Sequence, residues 1–316
     1  MPDILRALAL AYKMPRHRKA LLAMCPLPVS VPPEVAADMP LNVLTHGTTG
    51  PKILLIHGGV QGGLGGGPAT FSEQEKLAAE GWQLLMPERP GFGQSPTRGP
   101  DDMVADAVWA DRLMGDGVHL VGHSFGGGVA LLAAAHRPSA VKSLTLIEPA
   151  LMHVLPGSQE IRTDKIARQT FLRMGESWVS THTPAEYAMA VMKELGVNPG
   201  AVLGDSGKNG NGGAQAVLQS FGCAFLQARL AEPAVLKQAA NAVADARIPT
   251  MVVTGNWSPV FEATGRIATQ LTNGRHVVVT SPDHLVQLSS GDAFNAALTN
   301  FIGAVEAGRS QPAEVT

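Results

Sequence analysis

Ser124 is the residue of this chain best placed to do chemistry, because it stands at the centre of Gly122-His123-Ser124-Phe125-Gly126. A G-x-S-x-G pentapeptide carries meaning only in context, since glycine and serine are common in loops. Here it ends the apolar run Val118-His119-Leu120-Val121 and opens a small-residue stretch, Gly126-Gly127-Gly128-Val129-Ala130. A strand entering and a helix leaving make the pentapeptide a strained turn that lifts the serine Oγ above a sheet. Glycine is needed on either side, because a Cβ at 122 or 126 would crowd the backbone. The N-terminus of the following helix favours negative charge beside the serine. The chemistry expected is nucleophilic attack by Ser124.

A serine hydroxyl is a weak nucleophile at neutral pH and needs a base within hydrogen-bond reach. Of ten histidines, His284 has the position for it. It follows the apolar strand His276-Val277-Val278-Val279-Thr280 and a Ser281-Pro282 turn, which places it at the carboxyl edge of a sheet beside Ser124. His119 falls inside a strand and His136 ends a helix, while His17, His46 and His182 sit in polar surroundings.

The elements that must position these residues alternate regularly. Strands are expected at Leu41–Thr45, Lys52–Ile56, Gln83–Met86, the run before Ser124, Val141–Ile147, Ile248–Thr254 and His276–Thr280. Helices are expected at Thr70–Glu80, Asp101–Met114, from the elbow to His136, at Phe261–Leu271 and at Asp292–Ala307. This alternation predicts an α/β fold with a parallel sheet covered on both faces. Residues 151–246 break the pattern and read as helical, with a capping box at Thr183-Pro184-Ala185-Glu186. The polar run Gly204–Gly213 reads equally as a linker or as the hinge of a lid. The expected organisation is an N-terminal extension (1–40), a core in two parts (41–150 and 247–309), a helical cap (151–246) and a disordered tail (310–316).

Composition bounds the partners. The chain has 316 residues, 16% of them charged, and a net charge of −2, with no basic run to hold nucleic acid or an anionic membrane. No run approaches the ~20 apolar residues of a membrane span. The short apolar run Ile4–Tyr12 is broken by Arg6 and followed by Lys13, Arg16, Arg18 and Lys19, the reverse of a secretion signal. Cys25 and Cys223 could pair, but with no motif they read better as two lone thiols, which fits a reducing compartment and a cytoplasmic protein. The amphipathic extension would cover either the core or a partner, and a homodimer is compatible with it. No histidine or cysteine spacing suggests a metal. The glycines between 57 and 67 lack both the P-loop lysine and the dinucleotide-binding order, so no cofactor is expected.

Four short motifs occur together: His57-Gly58-Gly59 after an early strand, Arg89-Pro90-Gly91-Phe92-Gly93-Gln94-Ser95 after the next, the Ser124 pentapeptide, and Asp283-His284 after the last strand. In this order and spacing, from about Leu41 to Ala307, the chain resembles the α/β-hydrolase family. The resemblance implies the α/β-hydrolase fold, a mostly parallel sheet flanked by helices with an inserted helical cap. It implies Ser124 as nucleophile, His284 as base, and an oxyanion hole made by the backbone N–H groups of Gly59 and Phe125. His57 would support its loop rather than titrate.

The acid departs from the commonest pattern of that family. The strand ending at Thr254 is followed by Gly255-Asn256-Trp257-Ser258, so serine stands where Gly-x-x-Asp would put the carboxylate. Glu148 ends the preceding strand, the position from which some haloalkane dehalogenases and certain lactone hydrolases take their acid. Glu262, a turn into the next helix, and the absence of any acid remain open, whereas Asp283 adjoins His284 and reaches its ring poorly.

The activity implied is cleavage of an uncharged, largely apolar carboxylic ester or lactone through an acyl-enzyme. Met152, Phe171, Leu172, Met174, Trp178 and Met189 would line its pocket or, equally, pack the cap helices. A serine nucleophile excludes the dehalogenase and epoxide hydrolase chemistries of the fold, which need aspartate there. One alternative is a carbon–carbon bond hydrolase of the meta-cleavage product type, which the glycine-rich loop resembles. That substrate needs arginines for its carboxylate, and Arg162, Arg168, Arg173 and Arg229 are scattered. The other alternative is a non-catalytic, ligand-binding member of the fold.

Overall fold

Strands that are apolar at nearly every position need cover on both faces, and the seven-stranded sheet of this protein has it. The computed structural model describes residues 2–28, 31, 32, 35, 39–62, 66–198, 200 and 211–309. The strands are β1 (Val43–His46), β2 (Lys52–Ile56), β3 (Gln83–Pro87), β4 (Val118–His123), β5 (Val141–Ile147), β6 (Thr250–Thr254) and β7 (Arg275–Val278). They lie in the order β1-β3-β2-β4-β5-β6-β7. Only β1 runs antiparallel to its neighbour; the other pairs are parallel. All residues of β4 and β6 are buried, as expected of central parallel strands.

Alternate residues of each strand enter opposite cores. Leu54, Ile56, Leu120, Leu144 and Val252 pack with the helices α2 (Met103–Met114) and α3 (Phe125–His136) on one face. Ile53, Leu55, Val121, Ile147 and Val253 meet Phe71, Leu77, Phe294 and Phe301 on the other. The helix expected at 70–80 is a 3₁₀ coil over Ser72–Glu80. Phe71, Gln74 and Leu77 are all buried, and a three-residue repeat keeps them on one line.

Between β5 and β6 the chain is helical: α4 (Lys165–Val179), α5 (Pro184–Glu194), α6 (Asn211–Gln227) and α7 (Pro233–Asp245), followed after β6 by α8 (Pro259–Thr272). Leu236, Ala240 and Val243 of α7 join the core that contains α3. Thr183 caps α5 as expected, its Oγ1 accepting from Glu186 N, but the Glu186 carboxylate accepts from His182 N, one residue earlier than in a capping box. The polar run at 204–213 lies outside the described residues as far as 210, and Asn211 onward belongs to α6; the tail 310–316 lies outside them entirely.

The N-terminal extension forms a helix, α1 (Pro2–Leu22), that lies against α4 and α6. Arg6 makes two bonds to Glu176, Asp3 pairs with Arg168, and Arg18 donates to the Leu226 carbonyl. Cys25, just past this helix, is joined to Cys223 of α6 in a disulfide with Cα atoms 5.5 Å apart. The expectation of two lone thiols is therefore corrected. The contact is non-local, spanning 198 residues, and no motif in the sequence announces it. A paired Cys25 and Cys223 give no ground for a reducing compartment. Among the described residues no helix is long and apolar enough to cross a membrane.

Candidate active site

Ser124 follows β4 with φ 53 and ψ −119, a left-handed backbone that a side-chain-bearing residue rarely adopts. The surrounding glycines explain how the turn closes. A Cβ at Gly126 would lie 2.2 Å from the Ile56 carbonyl oxygen, and one at Gly122 would lie 2.3 Å from the Gly126 oxygen. Ser124 N donates to Ile147 O and its own carbonyl accepts from Ala150 N, so the turn is bonded to both ends of the β5 exit. Phe125 is the first residue of α3, where helix geometry leaves its N–H without an intrahelical acceptor.

Glu148 leaves β5 with φ 37, a second strained position at the same sheet edge. Its carboxylate is buried and ringed by donors. His284 Nδ1 lies 2.7 Å from Oε2, Gly255 N 2.9 Å from Oε1, and Trp257 Nε1 2.9 and 3.0 Å from Oε1 and Oε2. Burial pushes the carboxyl up to about 8, against the pull of the Gly255 and Trp257 N–H groups. Burial also holds the His284 imidazole down at about 3, so the resting ring is neutral. Once Glu148 is ionised, Nδ1–H donates to it and Nε2 is left as the acceptor; Nε2 is buried and has no hydrogen-bond partner among the described residues. The bond from Ser124 Oγ is thus not closed in the resting protein, as is common before substrate binds.

The other acids are engaged elsewhere. Glu262 accepts from Asn256 N at 2.8 Å and faces His276 at 3.8 Å. Asp283 accepts from Leu285 N and Ser289 Oγ. Among the described residues, Glu148 is the carboxylate that meets the His284 ring.

His123, which the sequence reading passed over, fixes the His284 loop. Its Nε2–H donates to the His284 carbonyl at 2.8 Å, and the two rings lie 4.7 Å apart. Burial, and then His284, keep His123 well below the ordinary imidazole range.

The loop after β2 is fixed by its carbonyls. Arg89, fully buried, donates from Nη1 to Gly59 O at 3.0 Å and Gly58 O at 3.3 Å, and pairs with Asp101 and Asp106 at 2.5 and 3.0 Å. His57 accepts from Arg89 N through Nε2 and donates from Nδ1 to Gly58 O. Burial and the Arg89 charge push His57 down to about 3, consistent with a neutral supporting ring. The Gly58 carbonyl and the Gly59 N–H belong to one planar trans peptide and point in opposite directions. Holding the carbonyl against Arg89 therefore aims the Gly59 N–H away from it. Gly59 has φ +78, and a Cβ there would touch nothing, so its glycine serves the backbone angle rather than space. The Arg89 guanidinium also stacks 4.1 Å from the Phe125 ring centroid, so one side chain touches both residues expected to bind the oxyanion.

Residues 51–290 match a family model described as alpha/beta hydrolase fold. The chain belongs to the α/β-hydrolase family. Lipase LipV of Mycobacterium tuberculosis is 34% identical over 162 residues, covering 46% of this chain and 55% of LipV. The 2-hydroxy-6-oxo-6-phenylhexa-2,4-dienoate hydrolase of Burkholderia cepacia is 31% identical over 106 residues, covering 32% of this chain and 37% of the relative. The matches thus span about a third to a half of the length of the curated relatives. A solved serine hydrolase from Cycloclasticus zankles superposes with a TM-score of 0.54 at 18% identity, covering 83% of this chain and 93% of that structure, a likeness of fold.

In this α/β-hydrolase the helical segment reaches the site through α5 and α6. Val60, next to Gly59, packs with Ala188, Met192 and Phe221. His284 N donates to the Leu195 carbonyl at the end of α5. Leu172 and Met174 are instead buried, Met152, Phe171 and Trp178 pack on the main core, and Met189 is exposed. Of the six residues named as pocket lining or helix packing, five are thus buried or half-buried and Met189 is exposed. Adjacency to Gly59 was the signal that could have found Val60.

Proposed function

We propose that this α/β-hydrolase is a serine hydrolase that cleaves uncharged, largely apolar esters or lactones through an acyl-enzyme. The observation that carries the reading is the 2.7 Å bond between Glu148 and His284 Nδ1, which leaves Nε2 as the acceptor beside the strained Ser124 turn. Ser124 Oγ attacks the carbonyl carbon as its proton passes to His284 Nε2. The oxyanion is held by the N–H groups of Gly59 and Phe125. Glu148 keeps the ring oriented and stabilises the imidazolium. The leaving alkoxide takes the proton from Nε2, and water, activated by the same nitrogen, attacks the acyl carbon and releases Ser124.

An apolar substrate is proposed because Val60, Met192 and Phe221, although packed on one another, place apolar side chains next to the oxyanion loop. The Burkholderia relative favours a carbon–carbon bond hydrolase as second reading. Against it, Arg162 donates to Gly157 O, Arg168 pairs with Asp3, Arg173 donates to Thr170 and Arg229 pairs with Asp102, so each guanidinium is already engaged by a group of this chain. Steady-state assays with p-nitrophenyl butyrate, a medium-ring lactone and a ring-fission dienoate test the choice. Turnover of the ester or lactone, at least tenfold above an ester with a terminal carboxylate, is expected. Turnover of the dienoate alone would overturn the proposal.

A further inference from the structure

The segment that lacks the usual aspartate is not idle. Trp257 stands in it, and its indole N–H reaches both oxygens of Glu148, at 2.9 and 3.0 Å. We infer that Trp257 is a positioning residue for the acid–base pair, fixing the plane of the Glu148 carboxylate so that Oε2 faces His284 Nδ1. The inference rests on the roles of Glu148 and His284 proposed above.

A carboxylate held by one donor can still rotate about its last bond, whereas a donor shared between both oxygens restricts that rotation. The indole is itself held firmly. Its ring lies 5.3 Å from Phe261, and a Cβ on Gly196 would sit 3.4 Å from its edge. Asn256, in the left-handed region with φ 58, turns the chain ahead of it, and Glu262 anchors the Asn256 N–H. Trp257 therefore brings a rigid donor to an acid that leaves a different strand, 109 residues away in sequence.

The charged and titratable groups around Glu148 predict the consequence of losing this donor. Glu262 and Asp283 disfavour a second negative charge, His284 shares Oε2, and His123 stands behind His284. Gly255 N and Trp257 Nε1 favour the ionised form. Removing the indole N–H shifts ionisation of Glu148 to higher pH, on the order of one unit for a bond to a charged group.

The test compares wild type, Trp257→Phe and Phe261→Leu. The Phe261 ring touches both Trp257 and His284, at 5.3 and 4.4 Å between centroids, but donates no hydrogen bond, so it controls for packing. The pH profile of kcat/KM for ester hydrolysis should show its acid limb moved upward by about one unit in W257F. At pH 7 its kcat should fall roughly tenfold with KM little changed, and F261L should lose rate without moving the limb. A W257F limb at the wild-type position overturns the inference. A second measurement needs no activity and no Trp257 variant. The ¹⁵N-labelled indole resonance of Trp257 should titrate with Glu148 in wild type and lose that titration in E148Q. An indole signal indifferent to E148Q overturns the positioning role, while a titrating indole in a protein inert toward esters upholds it and removes only the ester reading.

Discussion

The sheet edge that holds Ser124, Glu148 and His284 and the helical layer formed by α1, α4 and α6 are held together by different means. At the sheet edge the restraints are buried and largely steric. Glycines at 122 and 126 admit no Cβ, Ser124 and Glu148 take positive φ, and buried hydrogen bonds lock each loop to the next strand. In the outer layer the restraints are long-range and partly exposed: the Arg6–Glu176 and Asp3–Arg168 pairs and the Cys25–Cys223 disulfide. Substitutions at the edge should therefore act on rate, and substitutions in the outer layer on stability.

Ser124→Ala tests the first half most severely. It should lower kcat by roughly 10⁴–10⁶ with the folding midpoint unchanged, measured by hydrolysis and by thermal melting. Glu148→Gln should cost roughly 10²–10⁴ in kcat, again without unfolding, because the amide no longer holds the Nδ1–H tautomer. The pH dependence follows from the same group. In the proposed mechanism Glu148 acts ionised, and burial raises its pKa to about 8, so kcat/KM should climb as pH rises toward that value. His284, held at about 3, adds no limb near neutrality. A flat profile from pH 6 to 9 would contradict this assignment.

The outer layer should respond in the opposite manner. Cys25→Ser with Cys223→Ser opens a loop of 198 residues and should cost roughly 2–4 kcal/mol in denaturant unfolding, with kcat within about threefold of wild type. The smallest effect is expected from Arg6→Ala, whose partner Glu176 is solvent-exposed. Its melting temperature should move by no more than about 2 °C, less in high salt. An Arg6 effect larger than that of the cysteine pair would break the contrast between the two regions.

What the sequence reveals depends on how local each restraint is, in both regions. β2 is observed at the bounds expected, Lys52–Ile56, because a doubly covered strand appears as an unbroken apolar run; β5 also holds its expected bounds, Val141–Ile147, although Lys142, Ser143 and Thr145 interrupt it. The Ser124 turn is legible for an equally local reason, since sterics demand glycine at fixed offsets. Glu148 is legible only through a resemblance, and nothing in the sequence separates it from Glu262, whose carboxylate is taken by Asn256 N in the fold. Trp257 and His123 were illegible because their polar atoms aim at residues 109 and 161 positions away, and a lone ring in a loop has no periodic signature. The disulfide was hidden in the same way. Apolar residues of α4 could not be divided between pocket and core, since a helix facing a lid and a helix facing a sheet share one periodicity.

The most direct test of the account is the rate of fluorophosphonate labelling for wild type, Ser124→Ala and Glu148→Gln, measured side by side on folded protein. Rapid labelling of wild type, none of S124A, and labelling of E148Q slowed by on the order of 10² is the predicted result. Wild-type protein that does not label, or E148Q that labels at the wild-type rate, would contradict an activated Ser124 sustained through His284 by Glu148.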